Sequence, residues 1–214
     1  MENKKNFYID GKWVSPIEPR NYKVIDPSNE EICAEISLGG KKDVDKAVSA
    51  AKKAFETWAF SKKEERLDLL EKLYVVYKKR WAEMAKLISL EMGAPMKFST
   101  EMQAATGASH IKSFKNILKD FKFEKDLGEE KNNQKLLYEP KGVCALITPW
   151  NWPINQVNLK VIPALASACT VVLKPSEIAP LSSMLLAEMI DEVKFPPGVF
   201  NLVNGDGAQT GDAL

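Results

Sequence analysis

Residues 141–177 read KGVCALITPWNWPINQVNLKVIPALASACTVVLKPSE, and the fold is decided there. KGVCALIT at 141–148 is a short apolar run of strand length, ended by a turn that carries Pro149 and Pro153. A helical stretch follows near 154–168, and CTVVLKP at 169–175 is a second apolar strand. Working outward, a helix is expected near 180–193, a strand at GVFNLVN (198–204), and another helix opening at Asp206. Short strands rich in Val and Ile that alternate with helices predict an α/β fold. Its parallel sheet is covered on both faces, and each connection is long enough for a right-handed crossover.

Upstream the chain has a different character, changing near residue 125. FYIDGKWV at 7–14 is a strand–turn–strand signal whose Asp10-Gly11 pair suits a tight hairpin. Tyr22 to Ile25 is a further short strand, closed by Asp26-Pro27. Val44, Ala47, Val48, Ala51, Ala54, Phe55 and Trp58 recur at helical spacing along one stripe. Ser61 followed by Glu64 predicts a capping box for the next helix. Its stripe runs through Leu67, Leu70, Leu73, Tyr74 and Tyr77 and on to Trp81, Met84, Leu87 and Ile88, with Gly93 and Pro95 as punctuation. A third helical pattern over 98–120 is expected to turn Met102, Ala105, Phe114, Ile117 and Leu118 inward. Residues 128–135, GEEKNNQK, read as a polar loop or the exposed start of a strand.

Composition removes several function classes. The 214 residues carry 30 Lys and Arg against 29 Asp and Glu, a formal charge of +1. That balance offers no bulk attraction to nucleic acid or an anionic membrane. No apolar run approaches membrane-spanning length, and MENKKNFYIDGKW lacks the apolar core of a secretory signal. Cys33, Cys144 and Cys169 lie far apart and the single histidine is His110, which excludes a disulfide framework or a metal-ligand pattern. A cytoplasmic setting is expected.

Ligands of open parallel sheets bind beyond the carboxyl ends of the strands, and three segments should meet there. Thr148-Pro149-Trp150-Asn151-Trp152-Pro153 is a stiff loop that offers the Asn151 amide as a donor for negative charge developing on a carbonyl oxygen. The same asparagine equally suits a cap on the following helix. Lys174-Pro175-Ser176-Glu177 places a cation and an acid three residues apart, suited to a ribose, with Glu177 accepting from its hydroxyls. Alternatively Ser176 and Glu177 begin the next helix and Lys174 points to solvent. Asn204-Gly205-Asp206-Gly207-Ala208-Gln209-Thr210-Gly211 permits close backbone approach, but it matches neither GxGxxG nor the P-loop pattern.

Together these segments resemble the aldehyde dehydrogenase superfamily. PWNWP at 149–153, IPALASACTVVLKPSE at 162–177 and FPPGVFNLVNG at 195–205 stand in that family's order and spacing, preceded by YIDGKWV at 8–14, DPSNEEICAEI at 26–36 and LEMGAP at 90–95. The resemblance covers essentially the whole chain but only the N-terminal portion of the family's length. It implies an incomplete Rossmann-like parallel sheet and oxidation of an aldehyde with NAD, NADP being disfavoured, through a cysteine thioester. It further implies that Asn151 is the oxyanion-site asparagine and that Thr148, Pro149 and Trp150 line the cofactor groove. Lys174 and Glu177 are implied to meet the adenosine ribose, Ser176 to belong to the same cofactor site, and Gly207 to lie against the adenosine. Gln156 and Leu159 match positions of the aldehyde tunnel. Residues 1–125 would be the N-terminal strands and helical region of the cofactor domain, 126–140 a bridging strand used for homo-oligomers, and 141–214 the first part of the NAD-binding core.

The family's cysteine nucleophile and glutamate base belong, on this resemblance, to sequence beyond Leu214, with the whole catalytic domain. None of the three cysteines has a nucleophile's surroundings in sequence, and His110 reads as a structural or surface histidine. The isolated chain is therefore expected to be inactive. A non-catalytic nucleotide-binding or assembly module is the alternative expectation.

Overall fold

The computed structural model describes residues 4–128 and 134–214. Strands β7 (Val143–Ile147), β8 (Thr170–Lys174) and β9 (Phe200–Leu202) are parallel neighbours, in register from Val143 with Thr170 to Ile147 with Lys174 and from Val171 with Phe200 to Leu173 with Leu202. Helices α6 (Pro153–Ala166) and α7 (Leu181–Val193) form the two crossovers. The expected parallel sheet thus exists, but it is extended into a mixed one. Strands β1 (Phe7–Ile9) and β2 (Lys12–Val14) form the expected hairpin, and β1 pairs antiparallel with β9, giving the order β2-β1-β9-β8-β7. Asp10 (φ 54°) and Gly11 (φ 70°) both take positive φ, the conformation of the two-residue turn that matches strand twist. All three β1 residues are buried, which explains why the hairpin docks on the sheet instead of standing apart.

Side chains alternate across the sheet. Val172 packs with Phe7, Ile9, Val203 and with Ala47 and Ala51 of α1 (Lys41–Trp58) on one face. Val171, Leu173, Phe200 and Leu202 face the larger core on the other. That core is closed by α6, α7 and three upstream helices: α2 (Lys63–Lys79), α3 (Trp81–Met92) and α5 (Ala104–Asp120). Both faces of the sheet are covered as expected.

Several upstream details differ from expectation. The strand expected at 22–25 is β3 (Arg20–Asp26), paired antiparallel with an unanticipated β4 (Glu31–Leu38). No capping box forms at Ser61. Helix α2 starts after Lys62 without a side-chain cap, because the Ser61 hydroxyl donates to the Trp58 carbonyl (2.6 Å) and accepts from Arg66 (3.0 Å). Arg66 is buried and also donates to the Ala166 carbonyl at 3.0 Å, so its need for acceptors claims the serine. The continuous stripe breaks at Arg80 (φ −99°, ψ 17°), which separates α2 from α3.

After the one-turn helix α4 (Met96–Phe98), residues Ser99–Gln103 form a π-helical turn. The wider turn rotates the helix face, so Ser99 and Gln103 point inward while Met102 stays 47% exposed. Ile117, also expected inside, is 56% exposed and lines an open apolar cavity of about 200 Å³ with Phe114, Phe121, Phe123 and Pro163. Strands β5 (Glu124–Asp126) and β6 (Lys135–Leu137) make an exposed antiparallel ribbon. Most of the polar stretch expected at 128–135 lies outside the described residues.

Candidate functional site

The carboxyl ends of β7, β8 and β9 bring the three expected segments side by side. The Thr148 amide donates to the Lys174 carbonyl (3.2 Å) and the Val203 amide to the Leu173 carbonyl (3.0 Å), so each segment begins where a ladder ends. Lys174 is 4% exposed and does not point to solvent. Its ammonium donates to the carbonyls of Gly205 (2.5 Å) and Pro175 (3.2 Å) and contacts the Glu177 carboxylate at 3.5 Å. A buried cation is here neutralised by carbonyl dipoles and one acid, and it ties the end of β8 to the third segment.

That third segment is braced from the N-terminal region. The Gly39 amide donates to the Asn204 carbonyl (2.8 Å), and the Gly39 carbonyl accepts from Thr210 (2.6 Å) and from Arg20 (2.7 Å). Arg20 also pairs with Asp206 at 2.6 Å and holds that carboxyl below its ordinary range. Asp206 in turn accepts from the Gln209 amide (2.9 Å), capping the π-helical turn Gly207–Gly211 where a helix start was expected. A Cβ on Gly205 would lie 1.8 Å from the Thr210 hydroxyl, so packing demands that glycine. Gly207 is different: it is exposed, and a Cβ there would meet nothing within 4 Å. Packing within the chain does not require it to be glycine.

Around this rim Thr148 is buried, whereas Pro149, Trp150 and Asn151 are exposed. Trp152, not Asn151, occupies the cap position of α6, and no side chain caps that helix. The capping reading of Asn151 therefore falls away, and among the described residues its amide has no side-chain hydrogen bond. The loop is pinned just beyond it: the Trp152 indole donates to Thr106 (3.2 Å) and its ring packs, tilted, against Phe98, with centroids 5.8 Å apart. Asn155, on the first turn of α6, bonds His110 at 2.7 Å, a structural tie between α5 and α6. Gln156 is half-buried and accepts from Lys160 (3.3 Å), while Leu159 is exposed one turn further along α6.

Ser176 is buried and accepts from the Ile178 amide (3.3 Å), a local turn. Neither it nor Glu177 begins α7, which starts at Leu181. Glu177 keeps its carboxylate partly exposed at the rim, near Tyr22, whose phenol is pushed up by burial and by that charge. The helix start is instead capped by Glu91, a residue that the sequence did not single out. Its carboxylate accepts from the amides of Leu181 and, at 3.0 Å, Ser182, although it lies at the far end of α3. Burial pushes Glu91 up to about 7 against the opposing pull of those hydrogen bonds.

No described thiol is activated. Cys144, on β7, is pushed up to about 11 by burial and by the adjacent Cys169. Cys33 is likewise raised by burial, and Cys169 is buried. All three are free.

A sequence model of the aldehyde dehydrogenase family matches residues 13–214. The chain belongs to that family. It is 50% identical over its whole length to a 3-succinoylsemialdehyde-pyridine dehydrogenase of a Pseudomonas species, of which it covers 44%. It is 40% identical to a putative aldehyde dehydrogenase of Staphylococcus epidermidis, again covering 44% of that protein. Among solved structures, an aldehyde dehydrogenase from Bartonella henselae superposes with a TM-score of 0.96 at 57% identity, over 100% of this chain and 45% of that one. A mutant aldehyde dehydrogenase C from Pseudomonas syringae, complexed with NAD+ and octanal, gives 0.95 at 42% identity, over 99% of this chain and 43% of that one. The chain thus spans less than half the length of these family members. Among the described residues no helix is long and apolar enough to cross a membrane.

Proposed function

We propose that this chain is the cofactor-side portion of an NAD-dependent aldehyde dehydrogenase, which converts an aldehyde, NAD and water into a carboxylate and NADH. The supporting observation is the convergence of three strand ends that leaves the Asn151 amide, the Glu177 carboxylate and the backbone at Gly207 on one accessible rim. The dehydrogenase relative from Pseudomonas syringae holds NAD+ in its structure, which supports the same cofactor here.

The residues present fit that group. Glu177 offers acceptor oxygens for vicinal hydroxyls, and its 3.5 Å contact with Lys174 is the longest that the ammonium makes, hence the easiest to exchange for a ribose oxygen. Ser176 shapes the loop that presents Glu177. The open side of Gly207 admits a flat ring, and Thr148, Pro149 and Trp150 form the opposite, stiff wall. When bound, NAD accepts the hydride from the aldehyde carbon. Asn151 donates its amide to the carbonyl oxygen as negative charge grows there. Gln156 and Leu159 border the path of the aldehyde. The chain requires a thiol nucleophile and a carboxylate base from outside the described residues, since none of its own thiols is poised for attack. Its three free thiols suit a reducing, cytoplasmic compartment.

In the full-length enzyme, Glu177→Gln is expected to weaken NAD and to shift the NAD-to-NADP preference about tenfold, ~1.4 kcal/mol, toward NADP. The neutral amide loses one acceptor and no longer repels a 2′-phosphate. Calorimetry with both nucleotides measures the ratio, and an unchanged ratio would remove Glu177 from the cofactor site.

We further propose self-association through the β5–β6 ribbon. Leu136 and Leu137 are exposed on it and Leu127 just beside it, and among the described residues β7 leaves the sheet with a free edge. Light scattering of the chain should reveal species larger than the monomer, and a monomer independent of concentration would count against this.

A further inference from the structure

The loop that carries Ser176 and Glu177 hangs between two anchors. Its near end is β8, where the Lys174 ammonium also grips the Pro175 carbonyl. Between Pro175 and Pro180 the loop contributes a single internal bond from its own side chains, Ile178 amide to Ser176 hydroxyl. Its far end is the first turn of α7, and there two of the free amides, those of Leu181 and Ser182, are taken by Glu91. Glu91 is 1% exposed and stands at the end of α3, where Gly93 in the left-handed conformation turns the chain away. At the other end of α3, Arg80 bonds Glu188 of α7 at 2.6 Å. Helix α3 therefore lies antiparallel to α7 and grips it twice, once beside the loop and once far from it.

A buried carboxylate is costly unless well paired. The open amides at a helix start are a fitting partner for it. Capping by a local Ser or Asp would have satisfied those amides without a distant element. Capping by Glu91 fixes where α7 begins relative to α3 and to the core. That position sets the span which the loop from Pro175 to Pro180 must bridge, and so the place of Glu177.

We propose that Glu91 is a positioning residue for the cofactor loop, holding the start of α7 so that Ser176 and Glu177 stand in binding geometry. This rests on the reading of residues 174–177 as a cofactor segment. If the loop populates its competent form a tenth as often, apparent affinity falls in the same proportion.

The test compares Glu91→Gln, Glu91→Ala, Arg80→Ala and Glu177→Ala in the full-length enzyme at pH 8. Amide exchange over residues 175–183, KM for NAD, KM for the aldehyde and kcat are measured for each. Faster exchange at Leu181 and Ser182 is expected in both Glu91 variants. So is an increase of about tenfold in KM for NAD, larger for alanine than for glutamine, with the aldehyde KM unchanged. Arg80→Ala, which removes the distant grip, should leave KM for NAD within about twofold of the wild type. Unchanged exchange overturns the proposal. So does an unchanged KM for NAD in the Glu91 variants, or equal losses toward NAD and aldehyde. If Glu177→Ala also leaves KM for NAD intact, the cofactor reading has failed as well; if Glu177→Ala alone raises it, only the role of Glu91 has.

Discussion

Protein comprising residues 1–214, incubated with NAD and a panel of short aliphatic and aromatic aldehydes, is expected to leave the absorbance of reduced nicotinamide at its no-protein baseline. Attack on an aldehyde needs an electron pair, and a thiol supplies it as thiolate. Cys144 is pushed to about 11, Cys33 is raised, and Cys169 is enclosed in the core, so no described thiol offers one at neutral pH. Cys144 and Cys169 lie on and just before sheet strands, within the packing around β7 and β8, whereas Asn151 stands beyond the strand ends. Asn151 can stabilise an oxygen but cannot form the bond that puts charge on it. Poor orientation of reactants alone removes several powers of ten from a rate. Aldehyde-dependent turnover that survived purification and vanished in Cys144→Ala or Cys169→Ala would show that one of these thiols is the nucleophile.

Asn151→Ala in the full-length enzyme is expected to lower kcat by about 10²–10³, ~2.7–4 kcal/mol, the usual cost of removing one oxyanion donor. NAD affinity should change far less, because among the described residues the Asn151 amide makes no hydrogen bond that builds the rim. The loop itself should persist: Pro149 and Pro153 flank it, and the Trp152 indole remains bonded to Thr106. Steady-state kinetics with parallel nucleotide titrations separate the two quantities. Equal losses in kcat and in NAD affinity would mean that Asn151 shapes the loop instead of acting on the carbonyl oxygen.

The region from Val143 to Leu202 was legible in the sequence because its strands are short Val- and Ile-rich runs with helices between them, and the ladder ends then locate the rim. Other features were hidden for physical reasons. Glu91 caps amides 90 residues away and Arg66 serves a carbonyl 100 residues away, so neither spacing leaves a local signature. The π-helical turn at Ser99–Gln103 lacks a compositional cue, and it shifted the inward face away from Met102. Strand β4 was detectable: Ile32, Ala34, Ile36 and Leu38 alternate with Cys33, Glu35 and Ser37, although a register shift opposite Val24 and Ile25 leaves Ile32 exposed. Whether Asn151 capped a helix was undecidable from sequence, since asparagine serves both tasks and only the observed start of α6 separates them.

The pairing of β1 with β9 also orders events in time. The Asp10 amide bonds the Asn201 side chain across 191 residues, and Tyr8 lies opposite Leu202. During synthesis the hairpin at 7–14 precedes the strand that receives it by about 191 residues. At ordinary translation speeds that interval is roughly 10–40 s, far longer than a hairpin needs to form. Phe7, Tyr8 and Ile9 thus spend the wait without their partner on β9, and a strand made much later is the one that admits the earlier hairpin into the sheet.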